Sequence, residues 1–262
     1  MMENPQLAPA LYLLPSALSS ADIDAVLPAG NIEIMRSLRH YIVENLREAR
    51  RFLKRCDRSI DIDSLSFHEL NSHTDLSEIA QWLAPLEHGE AIGLMSDAGC
   101  PGVADPGAAI VGIAHAKGLR VVPLVGPSSI LMGLMASGFN GQGFAFHGYL
   151  PVDASARAAR IKQLEAASRR DDMTQIFIET PYRNNAMLRA LCENLAPDTR
   201  ICVAESITDP ETESIIEMTA NKWCKRLDAT DLHKRPAIFL IYAGRPLDAP
   251  KKTPRHGNTR RQ

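Results

Sequence analysis

Short apolar runs alternate with longer amphipathic stretches along most of this chain, the pattern of an α/β protein. Runs at 11–14, 41–43, 91–95, 120–125, 174–179, 200–205, 213–218 and 237–242 predict strands. Amphipathic stretches at 77–86, 108–117, 128–136, 154–168 and 184–195 predict helices, with Gly89 and Gly118 closing two of them. The connections are short and the order is strand, loop, helix, so a mostly parallel sheet accounts for the first half. The pattern pauses at 144–151. Two α/β domains are therefore expected, 7–148 and 152–247, joined near 149–152. Residues 248–262 hold Pro, Lys, Arg, Gly and Asn with almost no apolar side chain, and predict a disordered basic tail. No internal repeat stands out.

Composition narrows the class. Of 262 residues, 45% are hydrophobic and 23% charged, the make-up of a globular chain rather than a fibrous or disordered one. The net charge of −2 hides a division: residues 251–262 carry five Lys/Arg and no acid, leaving 24 bases against 31 acids elsewhere, net −7. An acidic body excludes nucleic-acid binding through bulk charge, and leaves only a local patch. Aromatics at 5% argue against an extended base-stacking surface. The five cysteines (56, 100, 192, 202, 224) are far apart, odd in number and form no C-x-x-C, which suggests free thiols in a reducing compartment. No signal-peptide pattern and no run of 18 apolar residues occur, so a cytoplasmic protein without a membrane span is expected.

The most informative segment is 96–107, S-D-A-G-C-P-G-V-A-D-P-G. It follows a buried strand and precedes a helix, the place where open α/β sheets bind ligands. Three glycines and two prolines fix a tight loop whose backbone lets a ligand approach closely. Asp105 and Pro106 suit the Ncap and N1 positions of the next helix. Neither a Walker A loop nor G-x-G-x-x-G is present. The arrangement recurs at 122–129, with Gly126-Pro127 followed by Ser128 and Ser129. Each loop also has a purely structural explanation, a turn with a helix cap. His68 and His73 do not form H-E-x-x-H, and no metal site is expected.

Taken in order, 96–107, Gly126-Pro127-Ser128-Ser129, 146–151 (F-H-G-Y-L-P) and 177–183 (F-I-E-T-P-Y-R) resemble the tetrapyrrole methylase superfamily. Within it they resemble the small-subunit rRNA (cytidine 2′-O)-methyltransferase branch; 71–79 resembles that branch's H-N-E region. The resemblance covers roughly 10–245. It implies a two-domain fold with S-adenosyl-L-methionine (SAM) in the interdomain cleft, commonly in a homodimer. It implies cofactor contacts at Asp97, Ala98, Gly99, Val103, Asp105, Ser128, Ser129, Pro236 and Ala237. Its acceptor would be a ribose 2′-hydroxyl of ribosomal RNA in the small subunit. A small tetrapyrrole-like acceptor, or a SAM-binding protein without transfer activity, are the alternatives.

The chain departs from the branch's motifs at several points. T-P-I-G-N is here L-P-S-A-L at 14–18, A-E-D-T-R is V-E-N-L-R at 43–47, and E-L-T-K is followed only in part at Glu205-Ser206-Ile207-Thr208-Asp209. Cys100 replaces a Thr. Glu44 survives and is the candidate acceptor-side carboxylate, although an acid leading a helix is equally ordinary. Arg47, Arg50, Arg51, Lys54, Arg55 and Arg58 fall at helical spacing, opposite Ala49, Phe52, Leu53 and Cys56. Arg47, Arg50, Arg51, Lys54 and Arg55 are the RNA-binding candidates, with a merely solvated helix face as the alternative.

Overall fold

In the computed structural model, residues 7–70, 74 and 76–244 are described. Asn71–His73 and Asp75, part of the segment likened to H-N-E, lie outside them, as does the tail expected at 248–262. Two five-stranded sheets form the framework. The first contains β1 (Leu11–Leu14), β2 (His40–Val43), β3 (Ser66–Glu69), β4 (Ile92–Met95) and β5 (Val121–Pro123) in the order β3-β2-β4-β1-β5, every pair parallel. Its helices are α1 (Ile23–Val26), α2 (Ala29–Ser37), α3 (Leu46–Cys56), α4 (Leu76–Trp82), α5 (Ala84–Glu87) and α6 (Gly107–Ala116).

Parallel strands need both faces covered, which is why they read as unbroken apolar runs. Tyr12, Leu14, Tyr41, Val43 and Met95 enter one buried cluster, and Leu11, Ile42, Ile92 and Leu94 the other. From β1 the chain leaves toward β2 on one side; from β4 it leaves through α6 toward β5 on the other. The adjacent central strands β1 and β4 thus send their loops apart, opening a crevice at their carboxyl ends.

The second sheet contains β6 (Phe144–Tyr149), β7 (Thr174–Ile178), β8 (Arg200–Glu205), β9 (Ser214–Thr219) and β10 (Ala237–Tyr242), ordered β6-β7-β10-β8-β9. Only β6 and β7 are parallel; the other pairs are antiparallel. Strand β10 lies between β7 and β8, and all six of its residues are buried. Phe177, Ile201, Val203, Phe239 and Ile241 face a core closed by α8 (Ala154–Asp171), α9 (Asn184–Asn194) and α10 (Ala220–Cys224). On the opposite face, Ile176, Cys202, Ile238 and Leu240 meet Leu134 of α7 (Ser129–Ser137). Full burial of each such large side chain contributes about 1.5–3 kcal/mol.

Several features differ from the sequence expectation. The segment 144–151, where the sequence pattern pauses, contains strand β6. Both β6 and α7, placed by sequence in a 7–148 unit, pack with the second sheet. The strand expected over 120–125 ends at Pro123, and Val125 turns outward with 74% exposure. Helix α2 and strand β3 have no clear sequence signal: α2 has weak apolar segregation, and β3, Ser-Phe-His-Glu, has a single apolar residue and no fully buried one.

Candidate functional site

The loops after β4 and β5 meet residues of β6, β7, β8 and β10 of the second sheet across a cleft of about 370 Å³. That is within the usual size range of small-molecule sites. The first sheet contributes Glu44, 96–100, 103–105, Ser128 and Ser129; Ile130 of α7 joins them. The second contributes Phe146, Tyr149, Ile178, Glu179, Pro181, Ala204, Ile207 and 236–238. All nine residues expected to hold the cofactor, and Glu44, line this one cleft.

The local chemistry explains the loop. Gly99 and Gly102 have φ of 78° and 84°, a left-handed backbone that glycine adopts without strain. Asp105 turns its carboxylate inward: Gly102 N–H donates to both oxygens at 2.9 Å, and Gly107 N–H donates to Oδ1 at 2.6 Å. Asp105 thus clips the loop closed, and the helix begins at Gly107 with Pro106, not Asp105, at the Ncap position. Ser16 and Gly99 exchange two backbone hydrogen bonds of 2.9 and 3.1 Å, and Ser16 Oγ donates to Ser96 O at 2.8 Å. Ser128 caps α7 by accepting from Leu131 N–H.

Two carboxylates are near each other at the cleft. Asp97 N–H donates to Glu44 Oε2 at 3.2 Å. Burial, and then the neighbouring carboxylates Glu44, Glu48 and Glu69, push the Asp97 pKa above the usual carboxylate range. Glu179 is almost fully buried and is held by Arg183, which donates to its Oε1 from Nη2 at 2.6 Å and Nε at 3.0 Å. Among the described residues, no group of three or more His, Cys, Asp and Glu is arranged to hold a metal ion. No described helix is long and apolar enough to cross a membrane.

The basic residues do form one exposed face of α3, above buried Ala49 and Leu53. They are not equivalent. Arg55 donates to the carbonyls of Ser19 and Ala21, tying down the loop after β1. Lys54 donates to Arg58 O at 3.1 Å, Arg51 pairs with Glu48 at 3.2 Å, and the Arg50 guanidinium lies 5.4 Å from the Phe67 ring centroid. The helix starts two residues beyond Glu44, which lines the cleft.

A ribosomal RNA small subunit methyltransferase I of Xylella fastidiosa is 34% identical over 222 residues, covering 82% of this chain and 77% of that protein. The chain belongs to the ribosomal RNA small subunit methyltransferase I family. A relative of the same name from Vibrio cholerae is 29% identical over 240 residues, 92% of this chain and 79% of its own. One from Mesorhizobium japonicum is 34% identical over 202 residues, 77% of this chain. The match spans 65% of the Mesorhizobium protein's length, just under two thirds. No family model matches the chain. Among solved structures, the methyltransferase CobJ superposes with a TM-score of 0.56 at 19% identity, over 84% of this chain and 89% of that one. The uroporphyrin-III C-methyltransferase of Thermus thermophilus, solved with S-adenosyl homocysteine, gives 0.53 at 14%, over 89% and 97%. The fold is that of the two-domain tetrapyrrole methylases.

Several departures of this methyltransferase I-family chain from the motifs acquire a structural role. Asn45, where the motif has Asp, caps α3 by accepting from Arg47 and Glu48 N–H at 3.0 and 3.2 Å. Cys100, where it has Thr, donates its thiol to Pro127 O at 3.4 Å, joining the two cleft-lining loops. Asp209, where it has Lys, accepts from Thr212 and from Ser20 Oγ, tying the β8–β9 loop to the loop after β1. His147 bonds Gln175 and Arg160 within the second unit. Sequence reasoning missed the apolar wall of Ile178, Ala204, Ile207 and Ile238, because nothing local distinguishes a cleft-facing strand residue from a core one.

Proposed function

We propose that this protein transfers the methyl group of SAM to a ribose 2′-hydroxyl of small-subunit ribosomal RNA. The observation that carries this is one cleft onto which residues of the 14–18, 43–47, 96–107, 126–129, 146–151, 177–183 and 205–209 segments all open. The cleft suits the cofactor in kind. Apolar Ile130, Ile178 and Ile238 offer a dry wall, 97–99 and Ser128–Ser129 offer backbone and hydroxyl groups, and the carboxylates of Asp97 and Glu44 favour a cationic ligand. SAM, when bound, supplies an electrophilic methyl on a sulfonium. The chain's residues position the acceptor in line and receive its proton, and positioning supplies much of the rate. Glu44 is assigned to take the hydroxyl proton. Glu44→Gln should keep S-adenosylhomocysteine binding while lowering turnover by roughly 10²-fold or more.

The exposed bases Arg47, Arg50 and Arg51 are assigned to phosphates flanking the acceptor. Replacing all three by Gln should leave S-adenosylhomocysteine affinity unchanged and flatten the salt dependence of RNA binding by about 0.7–0.9 for each phosphate no longer neutralised. A ribosomal acceptor implies a cytoplasmic protein, in keeping with five free thiols. A homodimer is the assembly proposed, through Leu131 and Met135, exposed one turn apart on α7. Met135→Asp should then convert dimer to monomer in light scattering. The deciding experiment is mass spectrometry of ribosomal RNA from a deletion strain. One 2′-O-methyl group should disappear and return on complementation; an unchanged modification pattern would reject the function.

A further inference from the structure

Strand β6 carries a feature that cofactor binding does not use. Its pairing with β7 runs Phe144↔Thr174, Ala145↔Gln175, Phe146↔Ile176, and then Tyr149↔Ile178. Three steps along β6 match two along β7, so one residue is extra: a β-bulge. Gly148 makes it, with φ of 63° and no atom within 4 Å of where a Cβ would stand. In an unbroken strand, residues 146 and 149 would point to opposite faces. The bulge brings both onto the cleft wall, where both are lining residues.

The side chain so delivered is a large ring left uncovered. Tyr149 is 59% exposed, although its backbone is held on both sides, by the pairing with Ile178 and by Leu150, which is 3% exposed in the core. Its hydroxyl makes no hydrogen bond among the described residues, so the ring is not there to satisfy a polar partner. At the end of the neighbouring strand, just past cleft-lining Pro181, Tyr182 is also exposed, its ring edge-on to His233 at 5.7 Å. The cofactor candidates are mostly on the opposite side, on the loops of the first sheet. A rigidly mounted, open aromatic face in a cleft is suited to a planar heteroaromatic ring, since stacking tolerates any base.

We propose that Tyr149 is the stacking platform for the base of the acceptor nucleotide, which holds the attached ribose toward the methyl-donor side of the cleft. This rests on the RNA reading above. The same chemistry would fit the adenine of the cofactor, and the two occupants separate experimentally. Tyr149→Ala, Tyr149→Leu and Tyr149→Phe are compared with the parent for S-adenosylhomocysteine affinity by calorimetry, and for KM and kcat on small ribosomal subunits from the deletion strain.

The expected result is that Ala and Leu raise the KM for subunits by roughly 5- to 150-fold, the range of one base–aromatic stack. S-adenosylhomocysteine affinity should stay within about twofold of the parent. Phe should restore the parental KM, since the ring and not the hydroxyl acts. Unchanged melting temperature separates this from unfolding. Loss of S-adenosylhomocysteine affinity in Ala and Leu would assign the ring to adenine and overturn the proposal. So would a parental KM in both variants. A parent that methylates no RNA would instead reject the RNA reading, and the base as occupant with it.

Discussion

Gly126→Ala tests how the site is built. Gly126 lies between β5 and the serines of α7, and its φ is outside the left-handed region, so the requirement is for space and not torsion. A Cβ there would overlap Pro15 Cβ, stand 2.5 Å from Pro15 Cγ and 3.4 Å from Leu27 Cδ2. Carbon atoms pack at about 3.5–4.0 Å, so one backbone must retreat by about 1 Å or more. Neither retreats easily. Pro15 is a rigid ring, followed directly by Ser16, which is held to Gly99 by two backbone bonds and to Ser96 by its hydroxyl. On the other side, Pro127 O is engaged by the Cys100 thiol, and Leu124 N–H donates to Leu13 O at 3.0 Å. Overpacking costs about 1–3 kcal/mol, and with rigid backbone on both sides the upper end applies. At about 2–4 °C per kcal/mol, the melting temperature should fall by roughly 6–12 °C. Because the strained loops are the ones lining the cleft, S-adenosylhomocysteine affinity measured by calorimetry should fall about tenfold or more. Melting within about 2 °C of the parent, with unchanged affinity, would refute the three-loop arrangement.

Gly112→Ala is the complementary case: Gly112 is exposed within α6 with nothing within 4 Å of a Cβ, so thermal melting should show stabilisation by about 0.5–1 kcal/mol. Asp97→Asn should stabilise the ligand-free protein at neutral pH. The raised pKa means that the folded state holds this proton more tightly than the unfolded chain, so the parent loses stability as pH rises from the ordinary carboxylate range through the raised value. The melting advantage of Asn should grow over that window and then level off; an advantage independent of pH would contradict the cause assigned. Cys100→Thr should keep both stability and S-adenosylhomocysteine affinity, because a hydroxyl replaces the thiol as donor to Pro127 O, whereas Cys100→Ala should lose about 0.5–1.5 kcal/mol in urea unfolding.

What the sequence determined by itself is what short-range spacing encodes. The buried runs 11–14, 41–43, 91–95 and 237–242 announce strands because sheets covered on both faces demand continuous apolar residues. The glycines and prolines of 96–107 announce a loop because few residues adopt its backbone. The ordered motifs were enough to gather nine cofactor candidates that the fold brings into one cleft. The spacing of bases over 47–55 gave an exposed helix face, but not that Arg55 is spent on the carbonyls of Ser19 and Ala21. Tertiary structure decided the rest. Helix α7 follows the first sheet in the chain yet packs on the second, since Leu134 finds its neighbours in the distant strands β7, β8 and β10. Strand β6 was hidden because its residues are mostly half-buried and its alternation is broken at Gly148. Only the pairing with β7 reveals the bulge, and with it the side to which Tyr149 points. A periodicity records which residues share a face; what that face meets depends on contacts between segments distant in sequence, and the far wall of this cleft is made entirely of such contacts.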